Sequence, residues 1–315
     1  MAAWIADGRA GEMTYLADSL DERLDPRRVL PTARSIVSVA VVYHAKPADA
    51  APAPPEAPRR AISRYAWGDD YHDVLKSRLR ALLLWMQEES GAGFEAFTCV
   101  DAGPVQERVF AEQAGLGWIG KHTCLINPQL GSWLFLGEIL TNADLEPDVP
   151  ATDQCGTCTR CLDACPTGAI TAPYELDARR CLSYLTIETR GGLAGEMRER
   201  IGAEIYGCDI CQDVCPWNRR AATSDDPAWQ PRAALASATI LDLCRLSDAA
   251  WRALLKGSAM RRAGLRRIRR TLAYATRHLP ASSAREAQDC LRSHESAAFP
   301  EGAEAIAWAE TAERT

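Results

Sequence analysis

The sequence holds no apolar run long enough to cross a bilayer as a helix, which takes roughly 18 residues or more; the longest, Ile36 to Tyr43, falls far short. Its first residues, MAAWIADGRAGEMTYL, carry neither the basic start, apolar stretch and small-residue cleavage site of a secretory signal nor a twin arginine. The reading is therefore a soluble, cytoplasmic protein with no membrane partner. None of the bias of disordered or fibrous chains is present, and 315 residues suffice for about two domains of ~100 to 200 residues each. A cationic surplus is missing too. The net charge of −6 argues against nonspecific coating of nucleic acid, because phosphate contacts are made by lysine and arginine.

Cysteine, by contrast, is plentiful. Twelve cysteines without an export signal point to metal or redox work rather than disulfides. The segment QCGTCTRCLDACPTGAI places Cys155, Cys158, Cys161 and Cys165, followed by Pro166, at the spacing of two-cluster bacterial ferredoxins. Three thiolates two residues apart wrap one corner of a cubane, and the fourth reaches the other cluster. YGCDICQDVCPWN repeats the motif with one cysteine fewer, as Cys208, Cys211 and Cys215 before Pro216, and Cys181 can supply the deficit. By this crossed logic one 4Fe-4S cluster takes Cys155, Cys158, Cys161 and Cys215, and the other takes Cys165, Cys181, Cys208 and Cys211. Structural zinc sites also use four cysteines, but they need neither the third closely spaced cysteine nor the repeated Cys-Pro. Cys99, Cys124, Cys244 and Cys290 read as small buried hydrophobes. A cluster whose irons all hold cysteine has no open valence for substrate, so the reaction belongs to another part of the chain.

Around the cysteines the pattern divides the chain. Residues 1–150 alternate strand and helix: a β-branched strand over Ile36–Tyr43, a proline-rich surface loop over Lys46–Pro58, an amphipathic helix over Tyr71–Glu89, a strand over Phe94–Val100, a helix from Val105 to Ala114 begun by Pro104, and a strand over Trp133–Ile139. This predicts an α/β layered domain. Residues 151–220 form the ferredoxin-like two-cluster module. Residues 221–315 show only helical patterns, among them Trp251–Leu255 and Glu304–Ala312, as in stacked helical pairs.

Two local features need weighing. Gly115-Leu-Gly117-Trp-Ile-Gly120 matches a dinucleotide fingerprint letter for letter, yet it follows a helical pattern and precedes a loop, whereas that fingerprint follows a strand and opens a helix. From Met260 to His278 there are seven arginines, Arg261, Arg262, Arg266, Arg267, Arg269, Arg270 and Arg277, and no acid. A solvated face is the plain reading; mutual repulsion relieved by RNA phosphates is the functional one, and the expectation is tRNA contact here.

VDAGPVQERVFAEQAGLGWIGKHTCLIN, the CGTCTRCLDACPTGAI block, RRCLSYLTIE and IYGCDICQDVCPWNRR together resemble the epoxyqueuosine reductases, cobalamin-dependent iron–sulfur enzymes that complete queuosine in transfer RNA. The likeness runs from about Trp4 to the helices after Trp251. It implies a cobalamin-binding α/β domain, an inserted two-cluster ferredoxin module and a HEAT-like helical C-terminal region. It also implies the substrate, the epoxide of epoxyqueuosine at the wobble base, reduced to the alkene with electrons that pass from a flavodoxin or ferredoxin system through the clusters to cobalamin. On this resemblance Asp101 protonates the departing oxygen, and Arg23, Ser63, Asp101, Leu125 and Leu136 contact cobalamin. Base-off binding is compatible with the sequence, because Asp70-Tyr-His72 is not continued into a cobalamin-ligating Asp-x-His-x-x-Gly motif. Read from the residues alone, an aspartate before Ala-Gly-Pro is a turn-former; as a donor it would need a raised pKa. The family's usual N-terminal helix and strand would precede the first residues seen here, and the expectation is a monomer. A reductive dehalogenase would share cofactors but normally carries an export signal. A ferredoxin-type carrier would need neither the basic stretch nor the first 150 residues.

Overall fold

The structure is a computed structural model that describes residues 1–45, 61–236, 238–294 and 300–311. The Lys46–Pro58 segment and Ala312 lie outside the described residues.

The central sheet has three strands, β1 (Ser35–Val42), β2 (Ala96–Cys99) and β5 (Leu134–Thr141), in the order β1-β5-β2. A two-stranded hairpin, β3 (Trp118–Ile119) with β4 (Leu125–Ile126), precedes β5. The alternation read from the sequence is present, and so is the layering. One sheet face, with Phe135 and Ile139, is covered by the long helix Tyr71–Ser90 through Leu75 and Leu79. The other, with Cys99 and Leu140, meets Phe110 of the helix Glu107–Gln113. The pairing, however, is antiparallel throughout: the long helix carries β1 over to β2 in the same direction, and β5 returns between them, opposed to both. A period of two shows which residues share a face but not which strand lies alongside, so partner order had no signal in the sequence.

The cluster module and the C-terminal helices share one core. Leu182, Leu185, Ile201 and Tyr206 pack with Leu243, Trp251, Ile268, Leu272 and Ile306. The first residues join the module rather than the sheet: Trp4 Nε1 donates to the Leu176 carbonyl at 2.5 Å, and the Glu12 N–H donates to the Tyr184 hydroxyl at 2.7 Å.

The arginine-rich stretch is corrected by the structure. It forms a short turn and then the helix Gly264–Ala275, but Arg269 and Arg270 are inside the protein, 0% and 1% exposed. Arg269 donates to the carbonyls of Cys244 and Leu246 and pairs with Asp248. Arg270 donates to the carbonyls of Thr189, Gly191 and Leu185, tying the helix to the end of the helix Leu182–Ile187 and the loop after it, inside the cluster module. Compensation therefore comes from backbone carbonyls and distant acids, which a count of local acids does not see. Removing the guanidinium leaves the buried Leu185 carbonyl and two part-buried ones unpaired, and a buried acceptor left so costs about 1 to 3 kcal/mol, so Arg270→Ala should lower stability by about 2 kcal/mol or more. Denaturant unfolding of the purified protein would measure this, and a loss under about 1 kcal/mol would contradict the clamp.

Candidate active site and cluster ligands

Asp101 follows the end of β2 and has φ +53°, a left-handed conformation that costs a non-glycine residue of order 1 kcal/mol or more. The turn that holds it folds back on the sheet: a Cβ on Gly103 would lie 2.4 Å from Cys99 Cβ, so only glycine fits there. The Asp101 N–H donates to Glu107 Oε1. Its carboxylate accepts the Tyr71 hydroxyl at 2.5 Å and lies 3.3 Å from His72 Nε2, while His72 Nδ1 is 2.7 Å from Asp70 Oδ1. The platform beneath is aromatic, with Tyr71 stacked on His72 (centroids 4.1 Å apart) and on Phe135 (4.5 Å).

The Asp101 side chain is 60% exposed and yet ringed by protein atoms, the signature of a side chain open to solvent inside a concavity. Burial acts to raise its pKa, but the hydrogen bonds from His72 and Tyr71 outweigh it and hold the carboxyl below its usual value. For His72 burial acts the other way, and the hydrogen bonds to Asp101 and Asp70 prevail, raising it above an ordinary imidazole. The raised pKa expected of an isolated donor at Asp101 is thus not what the structure shows; the pair keeps its proton on the imidazole.

The surroundings connect this concavity to the cysteines. Arg108 bears electrostatically on Asp101 and donates to the carbonyl of Thr123, another left-handed non-glycine residue with φ +67°. Next to it, Cys124 lies within electrostatic reach of Cys181 and Cys211. Arg23 and Asp101 are both electrostatic neighbours of Tyr15, as is Arg262, which sits over the Tyr15 ring at 5.4 Å and pairs with Glu188 at 2.9 Å. Arg23 is 8% exposed; its Nε donates to Ser19 Oγ at 3.0 Å, and its terminal nitrogens have no hydrogen-bond partner among the described residues. Ser63, also buried, donates its N–H to the Tyr206 carbonyl at 2.8 Å and neighbours Asp209. Leu125 is buried in β4, directly after Cys124. Leu136 is half-buried in β5, on the face that carries Glu138, and pairs with Ala40 of β1.

The cysteines gather in the two crossed sets. Cys155, Cys158, Cys161 and Cys215 line one cavity, together with Lys121, His122 and Trp217. Lys121 Nζ donates to the carbonyls of Gly156 (2.6 Å) and Cys158 (3.0 Å) and so pins the loop that bears three of the thiols. His122 Nε2 is buried there with no hydrogen-bond partner among the described residues, a donor of the kind that cluster sulfur accepts from. In the other set, Cys181 lies close to Cys165, Cys208 close to Cys181, and Cys211 close to both Cys208 and Cys181. Cys165 Sγ accepts the Ala169 N–H at 3.2 Å, which favours the thiolate form that iron needs. Both sets fit cubane clusters: four thiols each and hydrogen-bond donors aimed at sulfur.

The glycine-rich fingerprint is accounted for without a nucleotide. It leads from a helix into the β3–β4 hairpin, and a Cβ on Gly117 would lie 2.2 Å from the Ile126 carbonyl oxygen, so the glycine serves strand approach. Sequence reasoning missed Tyr71, His72, Arg108 and Cys124 as neighbours of the site, since lone residues in a helix or hairpin carry no spacing signal. The Asp70-Tyr-His72 string was the one hint.

Residues 154–218 match a family described as a 4Fe-4S double cluster binding domain, and residues 23–102 match the family epoxyqueuosine reductase QueG. An epoxyqueuosine reductase of Xanthomonas campestris pv. campestris is 43% identical over 314 residues, covering 98% of this chain and 86% of the relative. A crystal structure of epoxyqueuosine reductase with an epoxyqueuosine-modified tRNA-Tyr stem loop superposes with a TM-score of 0.83 at 36% identity, over 93% of this chain and 76% of that one. One from Bacillus subtilis, with its catalytic aspartate loop swung out of the active site, superposes with a TM-score of 0.81 at 35% identity, over 92% and 76%. With the cysteine sets and the Asp101 concavity in one fold, these likenesses show that the chain belongs to the epoxyqueuosine reductase family.

Proposed function

We propose that this chain is a cytoplasmic epoxyqueuosine reductase, acting on the wobble base of tRNA with electrons drawn through two 4Fe-4S clusters to cobalamin in the Asp101 concavity. The observation that carries the reading is that Arg108, which bears electrostatically on Asp101, donates to the carbonyl of Thr123 directly before Cys124, a residue within electrostatic reach of Cys181 and Cys211. On this reading residues 1–150 form the cobalamin domain, 151–220 the cluster module and 221–315 the helical region. When bound, cobalamin supplies electrons to the epoxide carbon. The chain's own residues would hold it: Arg23 offers the donors of its terminal nitrogens to its amides or phosphate, and Leu125 and Ser63 line its edge. Leu136 is assigned an apolar contact from the family pattern alone. His72 has both ring nitrogens engaged, to Asp70 and Asp101, and so is unsuited to bind cobalt, in keeping with base-off binding.

Loss of the epoxide oxygen as water takes two electrons and two protons. Asp101 passes the first proton, received from His72 whose Nε2 faces the same carboxylate, to the departing oxygen, and His72 takes up the second from solvent and relays it by the same path. An apolar ligand closing over Asp101 adds to the burial that already acts to raise its pKa, moving the shared proton from imidazole to carboxyl when substrate arrives. At the rim, Arg261, Arg262 and Arg266 are exposed and can meet anticodon phosphates, whereas Arg269 and Arg270 cannot. A flavodoxin or ferredoxin system is the proposed donor, and the chain acts as a monomer.

Iron- and sulfide-reconstituted protein should turn bound cobalamin to its base-off spectrum and convert epoxyqueuosine to queuosine in a tRNA stem loop. An unchanged corrin spectrum would leave a plain electron carrier. The pH profile follows from the raised His72 pKa. The charged imidazole is fully present below its ordinary value and is lost as pH rises through the elevated one, so turnover should hold at low pH and fall on the alkaline side. His72→Gln should remove the imidazole's ionisation from that limb and slow turnover by about 10- to 100-fold; a wild-type profile in the variant would rule out the relay.

A further inference from the structure

Behind the Asp101 turn lies a buried polar row that the reaction as described does not use. Ser38, Glu138 and Cys99 sit opposite one another across β1, β5 and β2, on the same sheet face. Glu138 is 0% exposed, and its Oε1 and the Ser38 hydroxyl have no hydrogen-bond partner among the described residues. Cys99 Sγ approaches Glu138 Oε2 at 3.8 Å. Over this row Glu107 reaches down from the first turn of its helix, and its carboxyl, the Glu138 carboxyl and Cys99 Sγ place donor atoms within 4.8 Å of one another. A glutamate with no cation beside it in the middle of a sheet is costly unless it carries a proton and shares it.

A buried carboxylate and a half-buried one this close do not readily ionise together, so one proton is held between them. Burial and mutual repulsion push both Glu107 and Glu138 above the usual carboxylate range. The titratable and charged groups facing the pair are Asp101 of the turn, Cys99 of β2, Tyr71 of the long helix and Arg108 beside Glu107; β1 faces it with the hydroxyl of Ser38. Arg108 is the one cation among them and is exposed, too weak a counter-charge to hold two anions together. The other polar contact of Glu107 is the Asp101 N–H, which its Oε1 accepts. That N–H belongs to a residue in a left-handed conformation, which persists only while its surroundings enforce it.

We propose that Glu107 is the positioning residue of the Asp101 turn, held against the Asp101 N–H by the proton it shares with Glu138, so that loss of this proton frees the turn. Glu138 is fixed in the central strand, so when both carboxyls ionise it is Glu107, at a helix end next to solvent, that leaves. The inference rests on Asp101 being the proton donor.

The test is steady-state reduction of an epoxyqueuosine-bearing tRNA stem loop by reconstituted protein. Glu107→Ala should lower kcat about 30-fold or more with KM and iron content within about threefold of the wild type. Glu107→Gln keeps the acceptor for the Asp101 N–H and can donate to Glu138, so it should recover the rate to within about threefold. The wild-type alkaline limb should show two ionisations, those of His72 and of the pair, and Glu107→Gln should show one. Full activity in Glu107→Ala would overturn the inference, as would a Glu107→Gln variant no better than alanine, an unchanged two-ionisation limb, or a bound divalent metal lost with Glu107→Gln. If Asp101→Asn itself leaves the rate intact, the reading of the site fails; if it abolishes the rate while Glu107→Ala does not, only the positioning role falls.

Discussion

Replacing Cys215 by alanine should cost the protein the cluster bound by Cys155, Cys158 and Cys161, although Cys215 lies in the other motif. A cubane deprived of one of its four thiolates loses iron readily, so anaerobically isolated protein should fall from about eight irons toward about four, with loss of turnover. The crossed assignment makes a sharper forecast by combining substitutions. Cys155→Ala added to Cys215→Ala removes nothing further, because both serve one cluster, whereas Cys208→Ala added to it empties both sites. This is the non-additivity expected of groups acting as a unit. Pairing by motif inverts the outcome, with Cys208 and Cys215 redundant and Cys155 additive. Iron and sulfide analysis with the cluster's paramagnetic signal would decide between them. The structure favours the crossed result, since Cys215 lines the cavity of the first three.

Asp101→Asn should be the most damaging single change outside the cysteines. The amide keeps the size and can still bond Tyr71 and His72, so the turn and its aromatic platform stay in place. What it loses is the proton, and proton transfer by a placed acid contributes typically about 10²- to 10⁴-fold. We expect kcat to fall by about that factor, with KM for the stem loop and the base-off corrin spectrum unchanged. A loss confined to KM would make Asp101 a binding residue and return the donor's role to His72.

The cysteine sets were legible because iron imposes spacing on the chain itself, so Cys155, Cys158 and Cys161 announce their chemistry locally. Elements were legible wherever one face is apolar, as in the long helix with Leu75 and Leu79 turned to the sheet. What could not be read arises between distant segments. The antiparallel place of β5 depends on which edge was left open. The burial of Arg269 and Arg270 depends on carbonyls between about 20 and 85 positions away in the chain. The depressed pKa of Asp101 depends on His72, which sequence inspection met only as part of a motif that fails. Glu107 and Glu138 each look like ordinary surface acids until the helix is laid over the sheet.

The core shared by the cluster module and the C-terminal helices ties metal to temperature. A ligand that binds only the folded form adds its binding energy to that form's stability, and here the folded form includes the helices that carry Arg261, Arg262 and Arg266. Iron shortage and heat should then thin out the same pool of molecules, loosening the helical end together with the empty thiols. A cell short of iron would lose the enzyme's grip on its substrate along with its source of electrons.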